Sequence, residues 1–145
     1  MAAIGEPAPD FEGIDGDGQP VSLSHYRGKK VALCFYPKDD TPGCTLEACN
    51  LRDHTEALDT KGVLVLGVSR DPPASHKAFA EKYDLPFRLV ADPDGAIGAK
   101  YGVAGGPLHT RATFLIDESG RIAAAIGTVN VHDHAAQILR GFGLA

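Results

Sequence analysis

The chain has 145 residues, a mass of 15.2 kDa and a net charge of −5, and 43% of its residues are hydrophobic. A chain of this length buries enough surface to build a core without disulfides or metal, and its composition excludes a disordered protein. The negative charge argues against nucleic acid as the main partner, because binding phosphate requires clustered Lys and Arg. We therefore expect one globular domain over residues 1–145.

Strands and helices are predicted to alternate along the chain. Residues 1–20 are rich in Gly, Pro and Asp, which favours loops and short strands. The strands predicted after them are residues 21–23, 31–36, 63–69, 113–117 and 121–126. The helices predicted between and after these strands are residues 42–58, 73–83 and 131–139. This order indicates an α/β fold with parallel pairing, and a hairpin formed by the last two strands makes the sheet mixed.

The three cysteines, Cys34, Cys44 and Cys49, are too few for a secreted scaffold held by disulfides. The first residues form no basic segment followed by an apolar run, so a secretory signal is not expected. No stretch approaches the roughly 20 apolar residues of a membrane span. We therefore expect a cytoplasmic protein, in which cysteines are usually reactive, metal-binding or buried. Cys34 lies inside a predicted strand and is interpreted as a buried, inert thiol.

Cys44 is predicted to lie in the first turn of the helix that begins at Pro42. Thr41 is a favoured N-cap residue, and proline suits the first helical position. The free N–H groups and the positive dipole end of a helix start favour a thiolate over a thiol. Gly43 would keep the approach to the sulfur open. The alternative is a small residue at an ordinary helix start, and the coincidence of cap, proline, glycine and thiol makes it the weaker one.

Cys49 is predicted to lie on the polar face of the same helix. The inward stripe consists of residues at helical spacing: Cys44, Ala48, Leu51 and Leu58. Five residues of helix separate two Cα atoms by about 8.7 Å, whereas a disulfide needs them within about 6.8 Å. A bridge between the two thiols would therefore require the first turns of the helix to unwind.

The segment around Cys44 resembles the active-site segment of the peroxiredoxins. Pro37, Thr41 and Cys44 match the P-x-x-x-T-x-x-C signature of this family, and a second cysteine five residues later, Cys49, is typical of its bacterioferritin comigratory protein or peroxiredoxin Q subgroup. The similarity continues through residues 5–11, 67–69 and 111–117. This resemblance implies a thioredoxin-like fold, with a central mixed sheet flanked by helices, and thiol peroxidase activity.

The resemblance also implies a mechanism. The Cys44 thiolate would attack hydrogen peroxide or an organic hydroperoxide and become a sulfenic acid, and Cys49 would condense with it to a disulfide. A thioredoxin-like reductant would then restore both thiols, so no cofactor is expected. The resemblance assigns the hydrogen-bond donors of the reaction to the Cys44 N–H, the Thr41 hydroxyl and Arg111, and it assigns shielding of the site to Pro37. A monomer is expected, with a dimer as the alternative.

Two charged residues of the expected site have plainer explanations. An arginine before a strand is most often a solvated charge, and only the resemblance makes Arg111 a contact of the thiolate. Glu47 either orients Arg111 or complements the positive helix start, and the sequence leaves both possibilities open.

The histidines are assigned to ordinary roles. His132 and His134 are predicted to lie on the solvated start of the last helix, and His109 is expected to be a surface loop residue. No metal site is expected, because His54 and the two helical cysteines point to different faces of one helix. The loop of residues 105–110 departs from the subgroup and precedes Arg111, which leaves the preferred peroxide open.

Two other functions would use similar residues. A thioredoxin-like disulfide reductase is less favoured, because the chain lacks the C-x-x-C motif of such proteins. A redox sensor would use the same two cysteines as a peroxidase, so the sequence does not separate these two functions. Repeated consumption of peroxide would distinguish the peroxidase from the sensor.

Overall fold

The computed structural model describes residues 2–144, in which seven strands form one mixed sheet with the order β2-β1-β5-β4-β3-β6-β7. The strands are β1 (Glu12–Asp15), β2 (Pro20–Ser22), β3 (Lys30–Phe35), β4 (Val63–Ser69), β5 (Arg88–Ala91), β6 (Ala112–Ile116) and β7 (Ile122–Ile126). The helices are α1 (Pro42–Asp53), α2 (Thr55–Thr60), α3 (Pro73–Tyr83), α4 (Ala96–Tyr101) and α5 (His134–Gly141), with a short 3₁₀ helix at Leu23–Tyr26. Within residues 2–144, no helix combines the length and apolarity needed to cross a bilayer.

The centre of the sheet is apolar on both faces. Strand β3 pairs in parallel with β4 and antiparallel with β6, and its last five residues are all buried. Its side chains alternate, so that Ala32 and Cys34 pack against α1, α2 and α5, whereas Leu33 and Phe35 pack on the opposite face. Burial on both faces explains why this strand is a continuous apolar run.

The predicted mixed sheet with flanking helices is confirmed, including the parallel β3–β4 pair and the β6–β7 hairpin. The predicted helix of residues 42–58 is interrupted at His54, whose N–H lies within hydrogen-bond distance of the Asn50 and Leu51 carbonyls. The last helix begins at His134, three residues later than predicted. Strand β5 and helix α4 are absent from the predicted elements, because both are too short for a clear periodic pattern.

The topology brings two distant segments together at one end of β3. In the antiparallel β3–β6 register, Phe35 lies opposite Ala112. Arg111, which immediately precedes β6, therefore lies beside the segment that leaves β3 and leads into α1. This juxtaposition places an arginine next to the first turn of α1, where Cys44 lies.

Candidate active site

Cys44 occupies the first turn of α1 and is 2% exposed. The helix begins as the sequence predicts, with Thr41 as the extended N-cap residue and Pro42 in the first turn. The predicted inward stripe is also confirmed, because Ala48, Leu51 and Leu58 are all buried. Cys44 therefore combines shielding from solvent with the free N–H groups of a helix start.

The guanidinium of Arg111 joins Cys44 to Glu47. Its Nη2 donates to Cys44 Sγ at 3.3 Å, and its Nη1 donates to Glu47 Oε1 at 2.6 Å. The Arg111 side chain is only 23% exposed, so it is not a freely solvated charge. Partial burial disfavours its charge, but the hydrogen bond to Glu47 and the negative charge of Cys44 outweigh this and raise the pKa of Arg111. The geometry thus holds a permanent cation against the sulfur.

The two oxygens of the buried Glu47 carboxylate have different surroundings. Its outer oxygen, Oε1, accepts the hydrogen bond from Arg111, whereas its inner oxygen, Oε2, has no hydrogen-bond partner among the described residues. The ring of His134 faces Oε2, with Nε2 at a distance of 3.7 Å. Burial raises the pKa of Glu47, and the charges of His134 and Arg111 act in the opposite direction. Of the two explanations left open above, orientation of Arg111 fits this geometry.

Gly43 makes room for the arginine. A Cβ at this position would lie 3.1 Å from Nη2 of Arg111, closer than an ordinary van der Waals contact. The sequence analysis assigned Gly43 to an open approach to the sulfur. In the structure, its missing side chain lets the guanidinium reach Cys44.

Thr41 and Pro37 lie in the loop that joins β3 to α1. The Thr41 hydroxyl donates to the Lys38 carbonyl at 2.8 Å, so its hydrogen is not directed at Cys44 Sγ. Pro37 directly follows the buried Tyr36 and is itself partly exposed. The donor role of Thr41 and the shielding role of Pro37 stay predictions.

The same loop is held by helix α3, which the sequence analysis did not connect with the site. Asp39 is 8% exposed and accepts hydrogen bonds from the Tyr36 hydroxyl at 2.6 Å and the Ser75 hydroxyl at 2.8 Å. Its Oδ2 also lies 2.8 Å from His76 Nδ1. Ser75 and His76 follow Asp39 by more than thirty residues, so no local sequence pattern could reveal these contacts.

The next residue of the loop, Asp40, is held by two hydrogen bonds to its carboxylate. Asp40 adopts the left-handed backbone conformation, with φ of 58°, which aspartate tolerates better than most residues. Its carboxylate accepts from Lys82 Nζ and from the Tyr83 hydroxyl, each at 2.7 Å. The loop before Cys44 is therefore attached to both ends of α3.

The other two cysteines lie in different surroundings. Cys49 is partly exposed and lies within the unbroken helix α1, and all three thiols are free. Cys34 is 2% exposed in β3, as predicted. Burial, together with the negative charge of Glu47, raises the pKa of Cys34, against an opposing hydrogen bond with Thr113.

Two histidine predictions were wrong. His134 is fully buried rather than solvated, because the start of α5 packs on α1, where Asn50 Oδ1 accepts the Ala135 N–H at 2.9 Å. His109 is 2% exposed rather than a surface residue. Its ring fills the space above Gly98, and its Nε2 lies 2.7 Å from Asp92 Oδ2. Both rings turn inward from segments whose other residues are mostly polar or exposed.

A cluster that the sequence analysis did not anticipate lies beneath the site. Cys34, Glu47 and His134 are all buried, and one potential ligand atom from each lies within 4.8 Å of the other two. Hydrogen bonds engage all three members of the cluster: Arg111 binds Glu47, Thr113 Oγ1 lies 2.8 Å from His134 Nε2, and Cys34 Sγ donates to the Ala32 carbonyl at 3.8 Å. This arrangement connects the core of the sheet, through Glu47 and Arg111, to the Cys44 sulfur.

Comparisons with known proteins agree with the resemblance noted from the sequence. A model of the AhpC/TSA family matches residues 4–125. The chain is 41% identical to peroxiredoxin Bcp of Bacillus subtilis (strain 168), over 94% of this chain and 92% of that protein. Its structure resembles peroxidoxin BcpB of Mycobacterium tuberculosis, with a TM-score of 0.90, 31% identity, and 99% and 97% of the two chains covered.

A further structural relative is the Xanthomonas campestris bacterioferritin comigratory protein, whose structure addresses its alkyl peroxide reduction activity. The TM-score is 0.88 at 30% identity, with 99% of this chain and 98% of that chain covered. The similarity therefore extends over the whole described fold.

Proposed function

Since this chain belongs to the AhpC/TSA family and is a thiol peroxidase of the Bcp and peroxiredoxin Q kind, we propose that Cys44 is its peroxidatic residue and Cys49 its resolving residue. The observation that carries this proposal is the position of Cys44 Sγ at a helix start, 3.3 Å from the Arg111 guanidinium. Both neighbours favour the thiolate, which is the nucleophilic form of cysteine. The thioredoxin-like fold predicted from the sequence is confirmed by the same comparisons.

In the first step, the Cys44 thiolate attacks one oxygen of a hydroperoxide. The S–O bond forms as the O–O bond breaks, and the second oxygen takes up a proton and leaves as water or an alcohol. Negative charge spreads from the sulfur onto both oxygens during this displacement, and the Arg111 donors already face the place where it develops. The Thr41 hydroxyl joins them by exchanging the Lys38 carbonyl for a peroxide oxygen.

In the second step, the Cys49 thiol attacks the sulfenic sulfur of Cys44, and water leaves as the disulfide forms. Both residues belong to one helix, and five helical residues separate Cα atoms by about 8.7 Å, which is too far for a disulfide. The first turns of α1 therefore unwind during each cycle. The contacts of Asp39 and Asp40 with α3 hold the preceding loop in place and oppose this unwinding.

The remaining parts of the function follow from the same chemistry. The substrates are hydrogen peroxide and organic hydroperoxides, in line with the alkyl peroxide reduction activity of the Xanthomonas campestris relative. A thioredoxin-like dithiol reduces the Cys44–Cys49 disulfide, so the cycle uses thiols alone. We place the protein in the cytoplasm, where a reducing pool maintains free cysteines. We expect it to be a monomer.

A coupled assay with thioredoxin, thioredoxin reductase and NADPH tests this proposal. NADPH oxidation should continue until the added peroxide is consumed, and Cys44→Ser should reduce it to the background rate. Cys34→Ser is the matched control and should retain turnover. A single stoichiometric oxidation of the wild-type protein, without repeated turnover, would instead support a redox sensor.

A further inference from the structure

Helix α5 brings a buried histidine to the inner side of the site. His134 is fully buried at the start of α5, and its Nε2 lies 3.7 Å from the inner oxygen of Glu47. The outer oxygen of the same carboxylate holds Arg111, which contacts Cys44. A continuous chain of polar groups thus leads from the ring to the sulfur.

The hydrogen bonds of Gln137 establish the protonation of one ring nitrogen of His134, Nδ1. The Gln137 amide nitrogen donates to the Thr128 carbonyl at 3.0 Å, and its oxygen accepts the Asn130 N–H at 2.8 Å. The orientation of the amide is therefore fixed, and its oxygen also lies 2.8 Å from His134 Nδ1. Since an amide oxygen only accepts hydrogen bonds, Nδ1 carries a proton. The charge of the ring therefore depends on whether Nε2 also carries a proton.

The charges around the site favour a second proton on this ring. A neutral ring would accept the Thr113 hydroxyl at Nε2, 2.8 Å away, and would leave the buried inner oxygen of Glu47, 3.7 Å from the same nitrogen, with neither a donor nor a positive charge. Arg111 alone would then have to balance both the Glu47 carboxylate and the Cys44 thiolate. A protonated ring supplies a second positive charge, so that two cations face two anions.

We propose that His134 is a positioning residue of the peroxidatic site: its protonated ring pairs with the inner oxygen of Glu47, which leaves the outer oxygen to hold Arg111 against Cys44. The inference deepens the proposed function, because it adds a residue to the same site. His134 does not touch the reacting atoms. It acts through Glu47, whose pKa is raised by burial and lowered by the charge of His134.

Polar groups from three other elements lie beside the His134 ring. Helix α1 contributes Glu47, strand β3 contributes the Cys34 thiol at 4.0 Å from Nε2, and strand β6 contributes the Thr113 hydroxyl at 2.8 Å. Glu47 is the only carboxylate among these groups. Protonation of the ring should therefore depend on Glu47 more than on any other neighbour.

The direct test is the protonation state of the ring in the reduced wild-type protein. Nitrogen-15 NMR at pH 7 should show protons on both ring nitrogens of His134. The exposed His132, two residues away, is the internal control for a histidine outside the cluster. A neutral His134 ring with an unprotonated Nε2 at pH 7 would overturn the proposal, and this measurement needs no variant.

The second test reads the thiol rather than turnover. Alkylation of Cys44 by iodoacetamide is followed by intact mass in a Cys49→Ser background. His134→Gln should slow alkylation at pH 7 by about threefold to tenfold and move the midpoint of the rate-against-pH curve upwards, because the loss of a nearby charge shifts thiol ionisation. His132→Gln should change neither the rate nor the midpoint.

A double-mutant cycle distinguishes action through Glu47 from a structural role. In a Glu47→Gln background, His134→Gln should have no further effect on the alkylation midpoint. Equal effects of His134→Gln with and without Glu47, or a lowered melting temperature with an unchanged alkylation profile, would overturn the proposal. Failure of the proposed function would appear separately, as absent peroxide turnover in a wild-type protein whose ring protonation is as expected.

Discussion

Cys44 and Cys34 are equally shielded from solvent, at 2% exposure each, yet their surroundings favour opposite forms of the thiol. Cys44 lies at a helix start and faces the Arg111 guanidinium, whereas Cys34 lies within the sheet and faces the Glu47 carboxylate. Glu47 acts on both, because it holds Arg111 against Cys44 and raises the pKa of Cys34. The comparison teaches that burial alone does not determine the reactivity of a thiol, because burial and the Glu47 carboxylate raise the pKa of Cys34, whereas a helix start and a guanidinium favour the thiolate of the equally buried Cys44.

The largest expected difference in peroxide turnover is between the Cys44→Ser and Cys34→Ser variants. Cys44→Ser should abolish peroxide turnover, because it removes the nucleophile. Cys34→Ser makes the same chemical change in the sheet and should leave the rate constant for peroxide reduction close to that of the wild type. Stopped-flow measurement of peroxide consumption compares them. Loss of activity in a Cys34→Ser protein with an unchanged melting temperature would break the comparison.

Arg111→Lys should produce the next largest effect. A lysine is a point charge without the planar fork that reaches Glu47 and Cys44 together, so the peroxide rate constant should fall by roughly tenfold to a hundredfold. The rate at which Cys34 is alkylated in the folded protein should stay unchanged, since Arg111 does not contact it. An unchanged peroxide rate would remove Arg111 from the account.

Gly43→Ala tests how finely the arginine is placed. The added Cβ would lie 3.1 Å from Nη2 and displace the guanidinium, so the peroxide rate constant should fall by about threefold to tenfold. Gly105→Ala is the matched control, because a Cβ there has no heavy atom within 4 Å. Equal rates for the two alanine variants would show that the site tolerates movement of the guanidinium.

The smallest expected effect is on stability. The pKa of Glu47 is raised in the folded protein, so between the ordinary carboxyl value and the raised value the folded state binds more protons than the unfolded state. The free energy of unfolding should therefore fall as pH rises through this range, by at most about 1.4 kcal/mol per pH unit for one group. Urea unfolding of Glu47→Gln should lack this contribution. An identical pH slope in both proteins would contradict the assignment.

Much of the site could be predicted because its signals are local. Thr41, Pro42 and Cys44 adjoin in the sequence, and the rules of helix starts apply to them directly. Arg111 could be related to Cys44 only through the resemblance, since the antiparallel pairing of β3 with β6 brings Arg111 to the start of α1.

The errors arose where tertiary packing determines burial. The polar run around His134 is typical of a solvated helix start, but packing of α5 on α1 buries the ring beside a residue 87 positions earlier in the chain, Glu47. The contacts of Asp39 with α3 likewise join segments that no local pattern connects. Strand β5 has only four residues and owes its conformation to pairing with β4 and β1.

Intact-mass analysis after one equivalent of peroxide tests the central claim most directly. The wild-type protein and Cys34→Ser should each lose two hydrogens as the disulfide forms, and peptide mapping should join Cys44 to Cys49. Cys49→Ser should gain one oxygen, whereas Cys44→Ser should do neither at a comparable rate. Rapid loss of two hydrogens by Cys44→Ser, or a wild-type disulfide that contains Cys34, would contradict the division of the thiols into a redox pair and an inert residue.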